Sequence, residues 1–187
     1  MKPIAIATFL ALLSACSAPH FVGDAPPVPV TSHTPEHFEL PARFALARVV
    51  YGRTQAPGTE EEALWEDLAK RSENLGSFTP LISSDVSRWY GTKENMIEAA
   101  RRQRYNYLLV VRMDPSTGSA DVTLLDVGSG GVMATAQAVA KNGGQHGFWG
   151  GEINNPARLE RATLKIAKAA IPTVEEILLG AVNRQRG

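Results

Sequence analysis

A single cysteine stands in a chain of 187 residues, so no disulfide can form within the molecule. Charge of one sign is also lacking: 19 Lys and Arg oppose 19 Asp and Glu. Without a basic excess to neutralise phosphates, no nucleic-acid partner is expected. No apolar run approaches the roughly 20 residues of a membrane-spanning helix. The chain has no HExxH or CxxC pattern and no glycine-rich loop ending in Gly-Lys-Ser/Thr. These absences argue against the zinc, dithiol and phosphate-cradling motifs, and no cofactor or metal is expected. Internal repeats are absent too.

What is present begins at the N-terminus. Lys2 supplies a positive start, and Ile4 to Leu13 is an apolar run of signal-peptide length. It ends in Leu13-Ser14-Ala15-Cys16, a string that resembles the bacterial lipobox. There a branched residue and two small ones precede a cysteine whose nucleophilic sulfur takes up a lipid. The expectation is a signal peptide over residues 1–15 and lipidation at Cys16, which also accounts for an unpaired thiol in an exported chain. Ordinary secretory cleavage is the alternative. Ser17 rather than aspartate follows the cysteine, which points to the outer membrane, facing the periplasm.

Residues 16–42 carry Pro19, Pro26, Pro27, Pro29, Pro35 and Pro41 with little periodicity, and read as a tether. Fully extended, such a segment reaches roughly 80 Å. His20, His33 and His37 lie in it at irregular spacing, with nothing rigid to gather them round a metal.

Residues 43–187 read as a single domain. Phe44 to Tyr51 is a strand ending at Gly52. Thr59 and Glu62 suggest a capping box for a helix whose apolar face holds Leu64, Trp65, Leu68, Ala69 and Leu75, with Gly76 as its stop. A short strand follows over Phe78 to Ile82, demoted to an edge by Pro80. Thr92 caps a second helix over Lys93 to Arg104 that buries Met96, Ile97 and Ala100. Arg101, Arg102 and Arg104 suit its C-terminal dipole, or an anionic lipid or partner. Tyr107 to Met113 is apolar throughout, as in a strand covered on both faces. Asp121–Val127 and Val132–Ala140 form a hairpin through Gly128-Ser129-Gly130-Gly131. Asn155 caps a long helix that starts at Pro156 and is kinked or split by Pro172. The fold class is therefore α/β (α+β): one mixed sheet of about five strands, in the order β-α-β-α-β-β-β-α, with a long C-terminal helix.

Two stretches carry a family resemblance. Ala99-Ala100-Arg101-Arg102-Gln103-Arg104-Tyr105-Asn106-Tyr107-Leu108-Leu109-Val110-Val111 is similar to the helix-into-strand passage of the domain shared by the N-terminal part of TolB, CsgG and LpoB. Leu124-Leu125-Asp126-Val127-Gly128-Ser129-Gly130-Gly131-Val132-Met133-Ala134 resembles its hairpin. Rhombotarget-type envelope lipoproteins look similar as well. The resemblance implies an envelope lipoprotein that binds a partner, and its CsgG branch would allow self-assembly into a homo-oligomer. Three features depart from it. Arg104-Tyr105-Asn106 replaces an expected glycine-alanine-aspartate, the tether is short for an LpoB-like reach, and no pore-forming hairpins are inserted.

For chemistry, Ser129 has Val127 instead of the glycine that a nucleophile elbow places two residues before its serine, and it reads as a turn residue. The segment 143–151 holds His146, Phe148 and Trp149 among glycines. It is either a recognition loop or a turn whose aromatics fold back onto the domain. Trp89 and Tyr90 pose the same choice, and Trp65 reads as core. His146 as the base of an envelope hydrolase has no identifiable partner. The sequence thus points to a non-enzymatic, membrane-anchored adaptor or regulator of a cell-envelope machine, with an envelope protein as partner. A self-assembling scaffold is the alternative.

Overall fold

Why one strand organises the domain is plain from its composition. Tyr107 to Met113 has no polar residue before Arg112, so neither face suits water, and in the computed structural model it lies inside the sheet. The structure describes residues 31–32, 40–53, 56–80, 92–141 and 155–185. They form six strands: β1 (Thr31–Ser32), β2 (Ala42–Val50), β3 (Gly76–Pro80), β4 (Tyr107–Asp114), β5 (Ser119–Asp126) and β6 (Val132–Val139). Three helices accompany them: α1 (Thr59–Arg71), α2 (Lys93–Arg102) and α3 (Pro156–Gln185).

The sheet order is β1-β6-β5-β4-β2-β3. β2 runs parallel to β3 and β4, so each link between them needs a crossover, and α1 and α2 lie in these links. β4, β5 and β6 form an antiparallel meander. This is the expected mixed α/β architecture, and Pro80 sits in an edge strand as anticipated. The sixth strand was not anticipated. Thr31 and Ser32, inside the proline-rich segment that reads as a tether, pair with Thr135 and Ala134 of β6.

Strand alternation divides the core in two. Tyr107, Leu109, Val111 and Met113 face one side with Phe44, Leu46, Val122 and Leu124, under α1 and α3. Leu108 and Val110 face the other with Ala45, Ala47 and Leu125, under Met96, Ile97 and Ala100 of α2. Phe44 is fully buried, and its ring centroid lies 5.4 Å from that of Tyr107.

Helix ends explain themselves locally. Thr92 accepts a hydrogen bond from the Asn95 amide at 3.3 Å, and Asn155 Oδ1 accepts one from the Ala157 amide at 3.1 Å. The capping box expected at Thr59 is not used. Gly58 takes the N-cap position without a side-chain bond, and the Glu62 carboxylate turns to Arg48 instead. α1 also ends at Arg71, before a 3-10 turn over Glu73–Leu75. Gly76 then begins β3 at φ 139°, where a Cβ would meet the Ala42 carbonyl oxygen at 1.8 Å. Only glycine permits that approach of β3 to β2.

α3 runs unbroken through Pro172, so the split allowed by the sequence does not occur. Pro172 is exposed, as is Lys168, leaving water to satisfy the Lys168 carbonyl that loses its amide partner.

Candidate functional site

Arg48 interrupts the otherwise apolar run Phe44–Val50 of β2. It alternates with Leu46 and Val50, so its side chain enters the face beneath α1, with 7% of its surface exposed. Its Nη2 donates to Glu62 Oε1 at 2.8 Å, and its guanidinium carbon stands 6.0 Å from the centre of the Trp65 ring. One turn along, Arg53 donates from both Nη atoms to the Glu61 carboxylate, one of the bonds at 3.2 Å. Glu61 is 2% exposed and Arg53 12%. Consecutive carboxylates on the first turn of α1 therefore receive two arginines from the end of β2. Burial of such charges is tolerated only because they are paired.

A second cluster lies at the opposite end of β2. α2 closes in a Schellman motif: the Tyr105 amide bonds the Ala100 carbonyl at 3.1 Å and the Arg104 amide bonds that of Arg101 at 3.0 Å. Arg104, at φ 59°, holds the left-handed position that glycine usually fills. Arg43 donates to the Arg104 carbonyl at 3.3 Å and lies 5.0 Å over the Tyr105 ring. Arg101 reaches the Val127 carbonyl at 3.1 Å, while Glu98 pairs with both Arg101 and Arg102. Of the three arginines, Arg101 thus ties α2 to the β5–β6 hairpin, while Arg102 pairs within its own helix.

Two turns show why their polar residues are there. Asp126 Oδ2 accepts from the Ser129 amide at 2.8 Å and from its hydroxyl at 2.5 Å, so Ser129 is the turn residue the sequence suggested. Asp114 Oδ1 accepts from the Ser116 amide and hydroxyl at 2.8 and 2.6 Å. Burial raises the Asp114 pKa, but hydrogen bonds from Ser116 and Thr117 outweigh it and hold the carboxyl below its usual range. An open groove along α1, lined by Glu66, Asp67, Lys70 and Glu73, has the charged walls of a solvated helix face. Among the described residues no cluster of His, Cys, Asp and Glu could hold a metal.

No family model and no curated protein matches the chain. Among solved structures it is similar to a PelC variant dodecamer from Paraburkholderia phytofirmans, at 16% identity and a TM-score of 0.41, over 78% of this chain and 98% of that one. A second PelC dodecamer from the same organism aligns at 18% identity and a TM-score of 0.39, over 77% of this chain and 95% of that one.

Of the residues singled out from the sequence, Cys16, Trp89, Tyr90, His146, Phe148 and Trp149 all lie outside the described residues. Trp65 is core, at 3% exposure. The cluster of Arg48, Arg53, Glu61, Glu62 and Trp65 was missed as a unit. Its available signal was the charge inside an apolar strand, Phe-Ala-Leu-Ala-Arg-Val-Val, which demands a partner on whatever covers it.

Proposed function

We propose that the chain is a lipid-anchored protein of the cell envelope that works by binding, as an adaptor or regulator of a machine for cell-wall synthesis, secretion or surface-polymer assembly. The observation that carries the reading is Leu13-Ser14-Ala15-Cys16, closing a short apolar run and containing the lone cysteine of the chain. The anchor is the lipid on Cys16, the membrane the outer one, and the contact surface includes Trp89, Tyr90, Phe148 and Trp149. Aromatic side chains of this kind make strong interface anchors when a partner covers them. The mixed α/β fold supports the reading by offering a packed body on which a contact surface can be built.

The test is recovery of tagged full-length chain from crosslinked cells, followed by mass spectrometry, alongside a Cys16→Ala variant labelled with radioactive palmitate. The reading expects palmitate on the wild type only, and one envelope enzyme or secretion component enriched with it. Recovery of the protein solely as multiples of itself would favour a self-assembling scaffold. Equal palmitate in both chains would remove the anchor.

A further inference from the structure

Among the described residues, the outer edge of β6 is only partly paired. Thr135 and Ala134 meet Thr31 and Ser32 of β1, while residues 136–139 of the strand run on beyond them. Ladder geometry tells which backbone groups point outward there. The Ala140 amide donates to the Gly118 carbonyl at 2.9 Å, in step with the β5–β6 register. Hydrogen-bonded and non-bonded pairs alternate along an antiparallel ladder. Ala138 and Ala136 therefore turn their N–H and C=O groups to β5, and Gln137 and Val139 turn theirs outward. Both of these residues are exposed, Val139 at 50%. We propose that this edge is a docking site for an extended segment of a partner protein, which adds antiparallel to β6 and for which β1 holds the place.

β1 already seats an extended backbone on the same edge, antiparallel and in a defined register. The chain's own N-terminal stretch cannot complete it. Carried on in the register of β1, that stretch would set Pro29 opposite Gln137 and Pro27 opposite Val139. Proline has no N–H, so at both outward positions the β6 carbonyl would go without a donor. A partner segment with other residues there supplies one. Its side chains follow from the two faces of the strand. Alternate residues stand beside Ala136 and Ala138, which are buried but carry little apolar bulk, so valine or isoleucine adds burial there. The residues between them stand beside exposed Gln137 and Val139, where threonine suits. In such strand addition the main-chain bonds give affinity and the alternate side chains specificity. That the partner is a protein rests on the adaptor reading.

The test uses nitrogen-15-labelled full-length protein in detergent and the peptide acetyl-Thr-Val-Thr-Val-Thr-Ser-amide, which copies residues 27–32 with Pro27→Thr and Pro29→Thr. Without peptide, the Gln137 and Val139 amides should exchange with solvent at least about tenfold faster than those of Ala136 and Ala138. The peptide should slow them about tenfold, saturating below about 5 mM, and the parent peptide with both prolines should not. Thr31→Pro unseats β1 and should raise the peptide's affinity about threefold or more. Val139→Pro removes one outward N–H and no bond to β5, and should weaken binding about fivefold. Should that variant fail to fold, the two peptides still carry the comparison. Gln137 and Val139 amides protected without peptide overturn the proposal: protection independent of protein concentration marks the N-terminal stretch as occupant, and protection rising with concentration marks a second copy. Equal effects of the two peptides, or none from either, overturn it as well. Recovery of partners from crosslinked cells reads the adaptor role separately, so the two failures are distinct.

Discussion

Replacing Glu61 with alanine leaves Arg53 charged, 12% exposed and without the carboxylate that receives both of its Nη groups. Removing one partner of a buried ion pair costs about 3–5 kcal/mol, because the remaining charge is uncompensated. For a protein of this size 1 kcal/mol moves the melting temperature by about 2–4 °C, so the loss corresponds to roughly 6–20 °C. Replacing both residues, Arg53→Met with Glu61→Leu, removes the stranded charge along with the pair. That double variant should return to within about 2 kcal/mol of the wild type. Urea unfolding of the full chain, Arg53→Met, Glu61→Leu and the double variant gives the complete cycle, and the coupling energy should exceed about 1.5 kcal/mol. Arg71 supplies the control. It pairs with Asp67 at 3.0 Å and with Glu175 at 2.5 Å but is 49% exposed, so Arg71→Ala should cost no more than about 1 kcal/mol. A Glu61→Ala loss below 1 kcal/mol, or a double variant as unstable as the two single losses added together, would refute the view that these charges are held by each other.

Three further outcomes follow from the geometry. Arg104→Gly removes a side chain from a left-handed backbone position while keeping the carbonyl that Arg43 uses, and should raise stability by about 0.5–1 kcal/mol in the same urea assay. Gly76→Ala meets both a φ of 139° and the Ala42 carbonyl, and should cost about 2–4 kcal/mol, with amide exchange rising first in β3. Asp114 has its pKa depressed in the fold, so its contribution is present above the unfolded carboxyl pKa and is lost as pH falls through the lower folded value. Carbon-13 titration should find its midpoint below that of an unfolded aspartate, and Ser116→Ala should shift it upward.

Where a segment's own chemistry decided its structure, reading the chain alone sufficed. β4 was recognisable because seven residues carry apolar side chains at nearly every position, a pattern that only a two-faced burial satisfies. The start of α3 was equally legible, since Asn155 and Pro156 act on their immediate neighbours. α1 was harder. Thr59 and Glu62 have the spacing of a capping box, yet Glu62 meets a buried arginine fourteen residues earlier in the chain, and an ion pair beneath a helix outcompetes a local amide bond. That competition exists only once β2 and α1 are packed together. β1 was missed for a similar reason: two residues in a proline-rich stretch carry no periodicity, and their strand character comes from the edge of β6. The Arg48 cluster divides in the same manner: a charge within an apolar run is legible in the sequence, while its partners on α1 are visible only in three dimensions.

If the chain is anchored at Cys16 as proposed, the pairing of Thr31 and Ser32 with β6 shortens the leash on which the domain would hang. Between such an anchor and the sheet stand only residues 17–30, because Thr31 and Ser32 pair with β6. Even drawn out fully, that stretch spans about 43 Å rather than roughly 80 Å. Reach enters as its cube in the volume a tethered body can search, so going from roughly 80 Å to about 43 Å crowds the domain into a space about sixfold smaller. Any partner embedded in the same membrane is met at a correspondingly higher effective concentration, while one far across the periplasm falls out of range. Weakening the clamp, by Thr31→Pro for instance, would therefore lengthen the leash without touching a single contact surface.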